Sequence, residues 1–167
     1  MPCAGGSPWQ YLNNKKPGVA AKVRKHWKLF RELWNVFVEV ADKGLEAGGE
    51  VIIEWPSGCR YWRWDFVISF LKRHGLCYTD IDGCSLGLTS VRDGGLIMKP
   101  WRLASKMVEL AQEFKHCKCN HMHWHTPCAG IDTKLTENYT DSFAEKVHDA
   151  FNKCVVNKQK LLNVEWL

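Results

Sequence analysis

The third residue of the chain is a cysteine, followed at once by small residues in "PCAGGSPWQYLNN". Small side chains let a backbone approach its surroundings closely. A thiol in such a loop can act as a nucleophile if positive charge or a helix N-terminus lowers its pKa. A lone cysteine can equally be a small packing residue. A second group of interest is Glu54, a carboxylate that ends the apolar run Val51, Ile52, Ile53. It is either the solvated end of an edge strand or a carboxyl held for chemistry. A third lies in "HCKCNHMHWHTPC", where Cys119, His123, His125 and Cys128 follow a Cys-x3-His-x-His-x2-Cys spacing. Four such ligands can close a tetrahedral zinc site, and residues two apart on a strand point the same way. Cys117, His116 and His121 are further candidates, and a reduced, metal-free turn is the alternative.

The elements that must position these groups read as alternating helices and short buried strands. Residues 3–18 are punctuated by Gly5, Gly6, Pro8, Pro17 and Gly18 and read as a loop. Val23, Trp27, Phe30, Trp34, Phe37 and Ala41 recur at spacings of three and four, which predicts one long amphipathic helix over 19–47, ended by Gly48 and Gly49. A strand over 51–54 stops at Pro56. A second helix starts near Asp65 with Phe66, Val67, Phe70 and Leu71 inward, and Gly75 lies past its end. A strand over 76–82, extended chain on either side of Pro100, a helix over 106–114 and a last helix over 140–154, capped by Thr140 or Asp141, complete the pattern. The class expected is α/β.

With 167 residues the chain is long enough for one domain with a real core. The expected boundaries are 1–154, with 116–130 as a Cys/His-rich segment, and a tail over 155–167. No apolar run approaches a membrane span and the start carries no basic-then-apolar leader, so an intracellular, non-membrane protein is expected. Eight cysteines without such a leader speak against a disulfide framework. The net charge of +5 permits a polyanionic partner. Lys15, Lys16, Lys22, Arg24, Lys25 and Lys28 cluster ahead of and within the first helix, where they suit phosphate contacts or simply a solvated face.

Taken in order, a Pro-Cys loop, a long helix, a strand ending in glutamate, a helix, a strand, a glycine turn and an arginine-bearing strand resemble the catalytic half of the cytosine-5 DNA methyltransferases. "PCAGGSPWQYLN" looks like their Pro-Cys loop. Cys3, Ser7, Asn13, Gly18, Leu29 and Phe30 are similar to residues of the animal de novo branch. "EWPSGCRYW", "DGCSLGL" followed by "KPWRLAS", and "HWHTPCAGIDTKLTENYTDSFAEKVHDAF" resemble a phage branch. The resemblance covers residues 2–152. Trp55 stands where the family has asparagine, and "MKPWR" lacks the family's Gln-x-Arg-x-Arg.

The resemblance implies a partial Rossmann-like methyltransferase sheet flanked by helices, with a small Cys/His-rich C-terminal segment. It implies that Cys3 adds as a thiolate to carbon 6 of cytosine, that Glu54 engages ring nitrogen 3 and the exocyclic amine, and that Arg102 or Lys99 holds a phosphate or the base carbonyl. Ser7, Asn13, Trp55 and Lys99 become substrate-binding candidates. Trp9, Trp55 and Tyr61 line a pocket for a flipped base or else pack in the core.

The methyl donor implied is S-adenosylmethionine. The family's donor-binding elements precede the Pro-Cys loop, so the chain is expected to lack them, to be inactive alone, and to be either a truncated or decayed copy or one partner of a split enzyme whose donor-binding half is another chain. The implied partner is DNA, with RNA not distinguished, and the implied location is nuclear in a eukaryotic host. One structural zinc is the other expected cofactor. The competing reading is a non-catalytic, zinc-stapled nucleic-acid-binding module.

Overall fold

The computed structural model describes residues 3–8, 10 and 16–164, with side chains through residue 160. The mixed helix-and-strand class expected from the sequence is what it contains. Helix α1 (Val19–Glu46) buries Val23, Phe30, Trp34 and Ala41, with Trp27 and Phe37 half-buried on the same stripe. Its end is set by Gly48, which takes the left-handed conformation (φ 81°) and donates its N–H to the Leu45 carbonyl, while Gly49 donates to Gly44.

Strand β1 is Ile53–Pro56, two residues later than the expected 51–54. Alternation along it buries Ile53 and Trp55 and leaves Glu54 and Pro56 half-buried. A 3-10 turn, Arg60–Arg63, leads into α2 (Asp65–Arg73), which buries Val67, Phe70 and Leu71. Asp65 is the first helical residue rather than the cap, and Trp64 precedes the helix in extended conformation. Phe66, expected inward, lies on the rim at 36% exposure against Phe30, Trp34 and Trp64. Strand β2 is Cys77–Asp82 and β3 is Pro100–Ser105. The three strands form one sheet in the order β1-β3-β2, so the last strand in sequence lies between the other two. Helices α3 (Val108–Phe114), α4 (Ile131–Leu135) and α5 (Asp141–Val164) follow. Thr140 Oγ1 accepts the Phe143 N–H at 3.2 Å and caps α5. Helix α5 runs on through the segment read as a tail from residue 155.

The described residues fall into two compact units. One comprises those up to Tyr78 with Arg102–Lys106, the other Thr79–Trp101 with those from Met107 onward. The first has an aromatic core of Phe30, Trp34, Trp55, Tyr61, Trp62 and Phe70, with Cys3 packed against its edge. Phe30 stacks on Tyr61 at 3.6 Å between ring centroids, and Trp55 meets Trp62 at 4.5 Å.

Trp55 is only 1% exposed. Replacing it with alanine is expected to cost about 3–5 kcal/mol of stability, the range for a buried aromatic, seen as a lower urea midpoint. A change below about 1 kcal/mol would contradict its place in the core.

In the second unit Trp101, Phe114, Tyr139 and Phe143 pack as rings around the start of α5. Here a buried carboxylate fixes the turn after residue 88. Asp132, 1% exposed, accepts from Ser90 Oγ at 2.9 Å, Val91 N at 3.0 Å and Arg92 Nε at 2.7 Å. Burial works against its ionisation, but Arg92, the Ser90 hydroxyl and the Val91 N–H together outweigh that and hold the carboxyl below its usual range.

Candidate functional site

The loop that carries Cys3 is held by its backbone. Three successive carbonyls accept hydrogen bonds from the aromatic core and its turn: Ala4 from the Tyr61 hydroxyl, Gly5 from Trp27 Nε1 at 2.6 Å, and Gly6 from Arg60 N at 2.8 Å. Gly6 N closes the loop on the Cys3 carbonyl at 2.9 Å. Only residues without a side chain fit. A Cβ on Gly6 would lie 2.7 Å from Cys59 Sγ and 2.9 Å from the Tyr61 ring, and Gly5 has φ 81° with His26 Cβ 2.7 Å from where its own Cβ would be. The small residues after Cys3 therefore allow a close approach to Tyr61, Trp27 and Cys59.

Glu54 lies on β1 between the core residues Ile53 and Trp55. The turn Pro56–Cys59 closes with Cys59 N donating to the Pro56 carbonyl at 2.8 Å, which folds Cys59 back beside the end of β1. Burial pushes the Cys59 thiol up to about 12, and the charges of Cys3 and Glu54 push the same way, against a backbone hydrogen bond at Tyr61. Cys3 packs at the edge of the core that buries Cys59. Cys59 is 1% exposed and protonated at neutral pH, whereas Cys3 is half-buried. Of these two thiols, Cys3 is the one with access to a ligand. One carboxylate oxygen of Glu54, Oε1, is closed off from solvent. The Tyr61 hydroxyl is also raised, chiefly by burial and then by the neighbouring Cys59 and Cys3.

The remaining expected residues are distributed as follows. Arg102, half-buried on β3, holds its guanidinium 4.6 Å from the centre of the Tyr78 ring, which meets Trp62 edge-on at 5.4 Å. Ser7 is half-buried in the Cys3 loop, and its carbonyl accepts Gln10 N at 3.0 Å. Trp55 packs in the core among Phe30, Trp34, Tyr61 and Trp62, so its ring is not presented at a surface. Lys99 belongs to the second unit, where its ammonium donates to the Thr136 carbonyl and sits 5.7 Å from the Trp101 ring. Asn13, like Trp9, lies outside the described residues.

The second unit holds the Cys/His group. Ligand atoms of Cys84, Cys119, His123 and His125 lie within 4.8 Å of one another and could hold a metal ion. Cys119 Sγ is 3.3 Å from His125 Nε2 and 3.7 Å from His123 Nε2. Cys119 is oriented by its backbone, whose N–H donates to Asp82 Oδ2 at 3.0 Å, and its sulfur accepts the His121 N–H at 3.2 Å. Cys84 comes from the 3-10 turn Gly83–Leu86, directly after β2. Burial raises its thiol to about 11, helped by the hydrogen bond and charge of Cys119. Two thiols and two imidazoles gathered within 4.8 Å of one another are the donor set of a tetrahedral zinc site.

The fourth position is a correction to the spacing argument. Cys128 is not in the group; its sulfur lies 3.4 Å from Thr136 Oγ1. Cys117 is buried with its carbonyl accepting Asp82 N, and His116 and His121 are exposed. Cys84 was missed because it belongs to a turn far upstream in sequence, which a local ligand spacing cannot contain. Its position in "DGCSLGL", a cysteine in a tight glycine turn after a strand, was the available signal.

Nothing among the described residues supports a site for S-adenosylmethionine. The depression lined by Asp42, Leu45, Glu46, Arg73, His74 and Lys106 offers no ring for an adenine. Its Asp42 carboxylate is already bound by Arg73 Nη2 at 2.9 Å and His74 Nε2 at 2.7 Å. Among the described residues no helix is long and apolar enough to cross a membrane. The chain matches no protein-family model, no curated protein and no solved structure.

Proposed function

We propose that the Cys3 loop and the end of β1 form the cytosine-engaging part of a cytosine-5 DNA methyltransferase-like site. The observation that carries this reading is that the half-buried Cys3 packs against the same core from which β1 projects Glu54, while the nearby core thiol of Cys59 is buried. In the step assigned here the Cys3 thiol gives its proton to solvent, and its sulfur bonds to carbon 6 of the base. The C5–C6 π electrons move toward ring nitrogen 3, where the Glu54 carboxyl supplies a proton and leaves carbon 5 electron-rich. Arg102 is the candidate for a phosphate or the base carbonyl, and Ser7 for a contact within the loop. A Rossmann-like sheet, a methyl donor and the DNA partner belong to the same proposal. No methyl-transfer step is assigned to residues of this chain.

A single-stranded oligonucleotide containing 2-pyrimidinone in place of cytosine tests the addition without a methyl donor, because a thiolate adds readily to its carbon 6. A covalent product is expected by mass spectrometry, at least about tenfold slower with Glu54→Gln, as expected for loss of a positioned acid. No product from the natural sequence, or an equal rate with Glu54→Gln, would reject the assignment.

The Cys/His group supports a second, compatible role. We infer that Cys84, Cys119, His123 and His125 hold one structural zinc that fixes the loop after α3. A zinc-stapled module that binds nucleic acid without chemistry is the competing reading, favoured if binding survives loss of both Cys3 and Glu54.

A further inference from the structure

The two most exposed large hydrophobic side chains among the described residues sit between members of the Cys/His group. Trp124 is 87% exposed and Met122 is 85% exposed. The backbone from His121 to His125 alternates: His123 and His125 turn their rings to Cys119, while Met122 and Trp124 face solvent. The turn that starts it is built in, with His121 at φ 58° and Met122 N donating to Asn120 Oδ1 at 3.1 Å. An indole exposed on a loop pinned on both sides has little to gain from folding and is placed to be covered by something else.

The charge of the segment that carries it selects the partner. From Lys115 to Ile131 there is no acidic residue, while Lys115, His116, Lys118 and His121 are all exposed. Lys118 is partly neutralised by Asp82 at 3.6 Å, and Lys115 lies within the field of Glu113. A second copy of this chain carries the same net charge of +5 and is disfavoured by repulsion. A phosphate backbone with an unpaired base offers both negative charge and a flat face for the indole.

We propose that Trp124, with Met122 beside it, is a stacking platform for an unpaired base of a nucleic-acid strand, and that Lys115 and Lys118 meet the adjoining phosphates. This rests on the nucleic-acid partner of the preceding reading but not on the Cys3 chemistry. The zinc-loaded full chain is titrated into a fluorescein-labelled single-stranded 12-mer and followed by anisotropy. Trp124→Ala is expected to weaken binding about tenfold while keeping one zinc, and Trp124→Phe, which retains a ring, to stay within about threefold of the natural chain.

Equal affinity for Trp124→Ala, or equal loss for alanine and phenylalanine, overturns the platform. A change in oligomeric state on Trp124→Ala, read by sedimentation, also overturns it, in favour of a protein contact. If Trp124→Ala binds normally while the Cys3 adduct still forms, only the platform falls. If no oligonucleotide binds and no adduct forms, both fall.

Discussion

Replacing Cys84 with alanine is expected to release zinc as fully as replacing Cys119, whereas Cys128→Ala should retain one equivalent. The expectation follows from which sulfurs converge. Cys84 and Cys119 share the space in front of His123 and His125, and Cys128 faces Thr136. Losing one of four ligands opens the tetrahedron and leaves a buried thiol or imidazole without its ion. The affinity loss should exceed about a hundredfold, the upper end of what removing a group merely hydrogen-bonded to a ligand costs. Elemental analysis of the three purified variants, with a chelator competition, reads this directly. The natural chain should also melt at a lower temperature with chelator, since binding free energy at such a site is folding free energy. Zinc lost from Cys128→Ala and kept by Cys84→Ala would transfer the site to the local spacing and refute the group described here.

The Cys3 loop yields the second large effect. Gly6→Ala should cost about 1–3 kcal/mol, the range for overpacking a closed contact, because the new methyl meets Cys59 Sγ at 2.7 Å and the Tyr61 ring at 2.9 Å. Both neighbours are themselves packed in the core, so the loop is what yields. Moving it breaks the run of carbonyl contacts to Tyr61, Trp27 and Arg60 and displaces Cys3 with the loop. The adduct rate should fall by about a hundredfold even where the variant remains folded, the loss a misplacement of roughly 1 Å can produce. Gly44→Ala is the control. Its new Cβ would meet nothing within 4 Å and lies in α1, outside the loop. An unchanged adduct rate in folded Gly6→Ala would show that the loop geometry does not position the thiol.

Much of the fold could be read from periodicity. The α1 stripe survives almost residue for residue because one helix buries one face against one core, and its end is written in Gly48. Strand limits shifted because pairing, not hydropathy, decides where β1 begins; Val51 and Ile52 are apolar but lie before the ladder. Helix α5 passes residue 154 with Val155 and Val156 at 37% and 46% exposure, so the apolar residues there do not mark the buried stripe by which a helix is read. Trp55 was drawn into the site by its place after Glu54, yet alternation along β1 sends neighbours to opposite faces, and Trp55 falls on the core side. Cys59 went unnoticed for a related reason. Nothing in "PSGC" announces that its turn returns a thiol to the end of the strand, and only the folded chain brings it to Cys3.

One measurement reaches the centre of the account: peptide mapping of the covalent product formed with the pyrimidinone oligonucleotide. Attachment at Cys3, abolished by Cys3→Ala and retained in Cys59→Ser, is the predicted result. Attachment at Cys59, or a product whose yield ignores loss of Cys3, would contradict it.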